Sequence, residues 1–189
     1  MRIARASSSH VAELARMMAA SALLRRYGVT ERGATRSLRE ALRARDLLLV
    51  ATEGRAAVGL AWFVITRAFD RSAYLRLLLV AEGRRSRGVG AALLARGERG
   101  ARSARSRHLM LLVTRSNRRA RSFYERAGYT HVGDLPAFAR PGIAESLYVK
   151  SFARARGRRP VRSRTGAARP ARARAATSTR RARTRRRSA

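Results

Sequence analysis

Cysteine is absent from the 189 residues. That excludes disulfides, a thiolate nucleophile and thiolate-bound metal together. Histidine is scarce: His10, His108 and His131 are the whole set, too few and too scattered for a histidine-built metal site, so no metal is expected. Lysine occurs once, as Lys150, and every other basic residue is arginine. So uniform a choice reads as GC-rich coding rather than selection at each position, and arginine counts are discounted as evidence for nucleic-acid binding. Acids are few, 11 against 44 basic residues. No run of 18 apolar residues occurs, so no membrane span is expected. Glu13 and Arg16 interrupt the N-terminal apolar stretch that a secretory signal needs, which points to a cytoplasmic protein.

A hydrophobic fraction of 46% is that of a globular chain long enough to bury one core. The charge is unevenly spread. Residues 154–189 hold fifteen arginines and no acid. From 153 onward Arg, Ala, Ser, Thr, Gly and Pro make up almost everything, with too little apolar bulk to fold, and a disordered tail is expected over 153–189.

Residues 1–152 alternate between helical and extended patterns. Arg2–Ala6 reads as a short edge strand, and Ser7-Ser8-Ser9 offers an N-cap. Val11, Leu14, Ala15, Met18 and Ala22 share one face of a helix over 10–24, which Tyr27-Gly28 ends. A second helix is expected over 31–44. Leu47–Thr52, the turn at Gly54-Arg55 and Ala57–Thr66 form a hairpin. Strand 74–80 is followed by a basic glycine loop and a helix to about Ala104, weakened by Gly97 and Gly100. His108–Thr114 is another apolar strand, parallel to its predecessor if the helix is a crossover. A short helix, Asn117–Ala127, is closed by Gly128. Tyr129–Asp134 and Glu145–Phe152 form a last strand pair joined by a loop over 135–144. The pattern is α/β.

Arg85-Ser86-Arg87-Gly88-Val89-Gly90 opens the helix after strand 74–80. Glycines let backbone amides approach a phosphate, and the helix start adds its positive dipole end. A dinucleotide fingerprint would need glycine where Leu93 stands, and a Walker loop would need Gly-Lys-Ser/Thr. Asn117-Arg118-Arg119-Ala120-Arg121-Ser122-Phe123-Tyr124-Glu125-Arg126-Ala127-Gly128-Tyr129 completes an N-x-x-A-x-x-F-Y-x-x-x-G-[FY] pattern, and Arg85–Gly90 fits [QR]-x-x-G-x-[GA]. With both blocks in this order, residues 2–152 resemble the GNAT superfamily of N-acetyltransferases, of the small bacterial type.

The resemblance implies a three-layer αβα fold with a mixed, mostly antiparallel sheet splayed between two central parallel strands, 74–80 and 108–114. It implies acetyl-CoA as co-substrate and an amine acceptor, a small molecule or a peptide. Leu78, Leu79 and Val80 would pair with the pantetheine arm. Arg85, Ser86, Arg87, Gly88, Val89, Gly90 and Ala91 would wrap the pyrophosphate. Asn117 would bond the pantetheine, and Tyr124 would also protonate the departing thiolate; Phe123 is assigned to the core. Where many members carry a carboxylate on the central strand, this chain reads Leu75-Arg76-Leu77-Leu78. The candidate bases are therefore Glu82, Glu145 and Asp70, or a water relay. The acceptor pocket would be lined by the first two helices and the 135–144 loop. The alternatives to acetyl transfer are a non-catalytic acyl-CoA-binding module and a nucleic-acid-associated protein acting through its tail. The tail itself has three readings: a solvated extension, an arm making weak, non-specific nucleic-acid contacts, or a contact for anionic membrane surface.

Overall fold

In the computed structural model, residues 1–152 are described; the expected tail, 153–189, lies outside the described residues. Among the described residues seven strands form one sheet in the order β1-β2-β3-β4-β5-β7-β6. They are β1 (Arg2–Arg5), β2 (Leu47–Glu53), β3 (Ala56–Ile65), β4 (Ser72–Val80), β5 (His108–Thr114), β6 (Thr130–Arg140) and β7 (Ile143–Ser151). Only β4 and β5 are parallel; the other neighbours are antiparallel. The main helices are α1 (Val11–Ala20), α2 (Ala22–Arg26), α3 (Glu31–Arg43), α4 (Val89–Ser103) and α5 (Arg118–Arg126).

Both faces of the central strands are buried, which is why their sequences are apolar throughout rather than alternating. Leu48 and Val50 of β2 join Leu60 and Trp62 of β3 in a core with Val11, Leu14 and Met18 of α1 and Leu38 of α3. Leu49, Ala51, Ala61 and Phe63 point to the other face, against Leu93 and Leu94 of α4 and Tyr124 of α5. The three-layer αβα arrangement follows. Among the described residues no helix is long and apolar enough to cross a membrane.

Two expectations need correction. The predicted helix 10–24 is two helices: Ser21 leaves the helical region at ψ 118° and caps α2 by accepting from the Leu24 amide. Ser21 is buried and Ala22 exposed, so the apolar face ends one turn early. The 135–144 loop is mostly strand: β6 runs to Arg140 and turns at Pro141-Gly142 into β7. Proline at 136 is tolerated because β6 is the sheet edge. The helix expected to run to about Ala104 does so: α4 passes unbroken through Gly97 and Gly100. A Cβ on Gly97 would stand 1.9 Å from the Phe63 ring, so this glycine is what lets α4 lie close on the sheet.

The sheet parts between β4 and β5. They pair only where Ser72–Leu75 meets His108–Leu111. At that point β4 carries a bulge: Trp62 of β3 pairs with Leu77 and Phe63 with Leu75, leaving Arg76 without a partner. An extra residue reverses which face each following side chain occupies. Ala73 and Leu75 pack on the α4 face, but beyond Arg76 it is Leu78 and Val80 that do so, while Leu77 and Leu79 turn to the α1 face.

Candidate active site

A cavity of about 550 Å³ fills the parted region. It touches Met18, Ala34 and Trp62 from one side of the sheet and Leu75, Val113 and Tyr124 from the other. The split thus opens through the sheet rather than on one face.

The edge of β4 supplies backbone donors. The Ala81 amide donates to the Val58 carbonyl on β3 at 3.0 Å. Amide directions alternate along a strand, so Leu79 also faces β3 while the amides of Leu78 and Val80 face the open edge. Of the three expected pantetheine contacts, two therefore point outward and Leu79 does not.

The glycine loop supplies a second set. Gly88, at φ 79°, is the N-cap of α4, no side chain caps it, and the first turn holds no acid. The first amide used by the helix is that of Ala92, which donates to the Gly88 carbonyl at 2.9 Å. The amides of Val89, Gly90 and Ala91 precede it and have no partner within the helix, although the Val89 side chain is core. Above Gly88 a Cβ would meet nothing within 4 Å. Arg119 of α5 donates from Nη2 to Ser86 Oγ at 2.8 Å, and a Cβ on Gly90 would lie 3.6 Å from Val80 and 3.9 Å from Phe123. The loop, the end of β4 and α5 are thus one neighbourhood. Arg85 is partly drawn aside by Glu82, 3.3 Å away. Open amides, a positive helix end and guanidinium groups suit a pyrophosphate, and a slot between parted strands suits an extended arm.

Asn117 and Tyr124 both reach the cavity wall. Asn117 Oδ1 accepts from the Ala120 amide at 3.1 Å, capping α5, so its amide nitrogen is the group left for a ligand. Tyr124 is 7% exposed and packs edge-on against Phe123 and Tyr129 at 5.1 and 5.6 Å. Burial pushes its hydroxyl well above the ordinary tyrosine range, which keeps it a proton donor at neutral pH.

The three candidate carboxylates separate cleanly. Asp70 pairs with Arg107 at 2.6 Å on an exposed surface and is not in the cavity wall. The Glu82 side chain is 73% exposed. Glu145, at the start of β7, lines the cavity and is 4% exposed. It accepts a hydrogen bond from the Tyr27 hydroxyl, which also contacts Thr114 Oγ1 at 2.6 Å. Burial and then this carboxylate raise the Tyr27 pKa. Tyr74 is raised by burial first, with Arg76 and Glu145 exerting opposite effects on it. Tyr27, Tyr74, Trp62 and Thr114 were not among the site residues expected from the sequence. Tyr27 was legible only as part of a Tyr-Gly helix stop, and the others only as members of strands.

The sequence pattern of the Acetyltransferase (GNAT) family matches residues 14–129, so the chain belongs to the GNAT acetyltransferase family. No curated protein matches the sequence. Among solved structures, one described as a GNAT-family acetyltransferase from Desulfovibrio desulfuricans superposes with a TM-score of 0.69 at 25% identity, over 80% of this chain and 99% of that one. A ribosomal-protein-alanine N-acetyltransferase from Brucella melitensis gives 0.66 at 19% identity, over 80% and 99%. An aminoglycoside 6′-N-acetyltransferase complexed with coenzyme A gives 0.69 at 15%, over 80% and 97%. The last two share the fold.

Proposed function

We propose that the protein transfers an acetyl group from acetyl-CoA to an amine by direct attack while both are bound. The observation that carries this reading is the convergence on one parted sheet of open amides at Leu78, Val80 and Val89–Ala91 with the buried hydroxyl of Tyr124. Acetyl-CoA supplies the activated acyl carbon. The Leu78 and Val80 amides align its pantetheine arm, and one of them polarises the thioester carbonyl. Arg85, Ser86, Arg87 and Gly88 through Ala91 hold the pyrophosphate through backbone amides and guanidinium charge. The Asn117 side-chain amide bonds the arm, and Tyr124 gives its proton to the leaving sulfur. With no cysteine in the chain, the acetyl group has no thiol on the protein to rest on, which favours a ternary complex over a ping-pong route.

The same absence provides the assay, because thiol released from acetyl-CoA is read against no protein thiol. An amine panel with the wild-type protein should show turnover, and Tyr124→Phe should lower kcat by about 10² or more without weakening coenzyme A binding. Saturable acetyl-CoA binding with no turnover on any amine would instead favour an acyl-CoA-binding module. Whether the basic tail adds nucleic-acid contact is decided by a salt titration on DNA with full-length protein and a version ending at Phe152.

A further inference from the structure

Among the described residues Glu145 is the sole carboxylate in the cavity wall, and no basic side chain lies within ion-pair distance of it. Its side-chain partner is the neutral Tyr27 hydroxyl. A buried carboxylate without a cation is costly, and it persists most readily where a ligand brings the cation. Tyr27 is itself fixed: Arg140 Nε donates to its carbonyl at 3.1 Å, tying α2 to the β6–β7 hairpin. Arg36 and Arg76 also reach the wall, and the Arg76 guanidinium sits 4.8 Å over the Trp62 ring. One acid balances one ammonium, the two guanidiniums disfavour a second, and the aromatic surface suits an apolar body. All 11 acids and 29 of the 44 basic residues fall within 1–152, a field that repels polycations.

We propose that Glu145, positioned by Tyr27, receives the ammonium group of a singly charged primary amine and takes its proton ahead of acetyl transfer. The proposal rests on the acetyl-transfer reading for its chemistry. One ammonium proton passes to Glu145 and then to water. The freed nitrogen lone pair forms the bond to the acyl carbon as the carbon–sulfur bond breaks. The nitrogen's second proton leaves to solvent, and the sulfur takes its proton from Tyr124, which is reprotonated in turn. The products are an amide, a thiol and one released proton.

The test is calorimetric. Phenethylamine is titrated into protein saturated with coenzyme A, which has no acetyl group to transfer. Wild type should bind it saturably and more tightly than spermidine. Glu145→Gln should weaken it about 10-fold or more with coenzyme A affinity unchanged and melting temperature not lowered. Tyr27→Phe should raise KM for the amine without raising that for acetyl-CoA. The same phenethylamine affinity in Glu145→Gln, equal or tighter spermidine binding, or no saturable binding at millimolar phenethylamine overturns the proposal. If coenzyme A itself fails to bind, the acetyl-transfer reading falls instead, and the same amine titrations on free protein still decide the role of Glu145.

Discussion

Glu98 and Glu145 are both largely withdrawn from water and both accept from a tyrosine hydroxyl, Tyr129 and Tyr27 respectively. Beyond that they are opposites. Glu98 is met by Lys150, which donates to both carboxylate oxygens at 2.8 and 2.9 Å and to the Ala127 carbonyl at 2.8 Å. Its charge is spent inside the protein, holding α4, the end of α5 and β7 together. Glu145 meets no cation among the described residues and faces open volume. The difference teaches which carboxylate is structural: the one whose counter-charge the chain itself provides. The chain's single lysine is placed at that site. A slender ammonium can donate to three acceptors at once, where a planar guanidinium would need a wider space.

The comparison can be broken most directly at Lys150. Lys150→Met leaves Glu98 without its cation and should lower unfolding free energy by about 3 kcal/mol, measured by urea denaturation. Adding Glu98→Gln should recover much of that loss. A loss below about 1 kcal/mol would mean that water already compensates Glu98, and the contrast with Glu145 would dissolve.

A second test uses pH. Burial and the Glu98 charge raise Tyr129 far above the ordinary value of 10, and burial then Glu145 raise Tyr27. A raised folded-state pKa stabilises fully below the unfolded value, and that contribution is lost as pH rises beyond it. Unfolding free energy should therefore fall above about pH 10, by up to about 1.4 kcal/mol per pH unit for the buried Tyr129 and by less for the part-exposed Tyr27. Tyr129→Phe should flatten the fall more than Tyr27→Phe. The smallest expected effect is that of Glu145→Gln on stability, within about 1 kcal/mol of wild type and in the favourable direction, because it removes a charge that nothing in the fold balances. A loss as large as that of Lys150→Met would make Glu145 a structural residue after all.

The two ends of the cavity differ in how far the sequence disclosed them. The proposed donor end is built from local runs, Arg85–Gly90 and Asn117–Tyr129, in which loop, helix start and tyrosine lie within a few residues of one another, so spacing alone was informative. The proposed acceptor end joins Tyr27 to Thr114 and Glu145 across 87 and 118 positions. No periodicity reports contacts of that range. Element boundaries failed where a tertiary need outweighed a local signal. Pro136 and Pro141 read as loop, yet β6 passes through the first at an unpaired edge. Gly97 read as a weak point in α4, yet its missing side chain is what the Phe63 ring occupies. The counter-charge of Glu98 was equally invisible, since Lys150 is 52 positions away.

The unpaired Arg76 in β4 carries a last consequence. The parting of the sheet depends on a count of residues between two pairing points, not on the chemistry of any side chain there. Substitutions at 76 leave that count intact, so the opening should tolerate loss of the guanidinium over Trp62. Removing the residue outright is another matter: Leu77 would follow Leu75 in unbroken register against Trp62 and Phe63, the later side chains would keep their faces, and β4, without its bulge, could continue its pairing along β5 and close the slot. The opening between β4 and β5 begins, in this sense, at a single inserted residue.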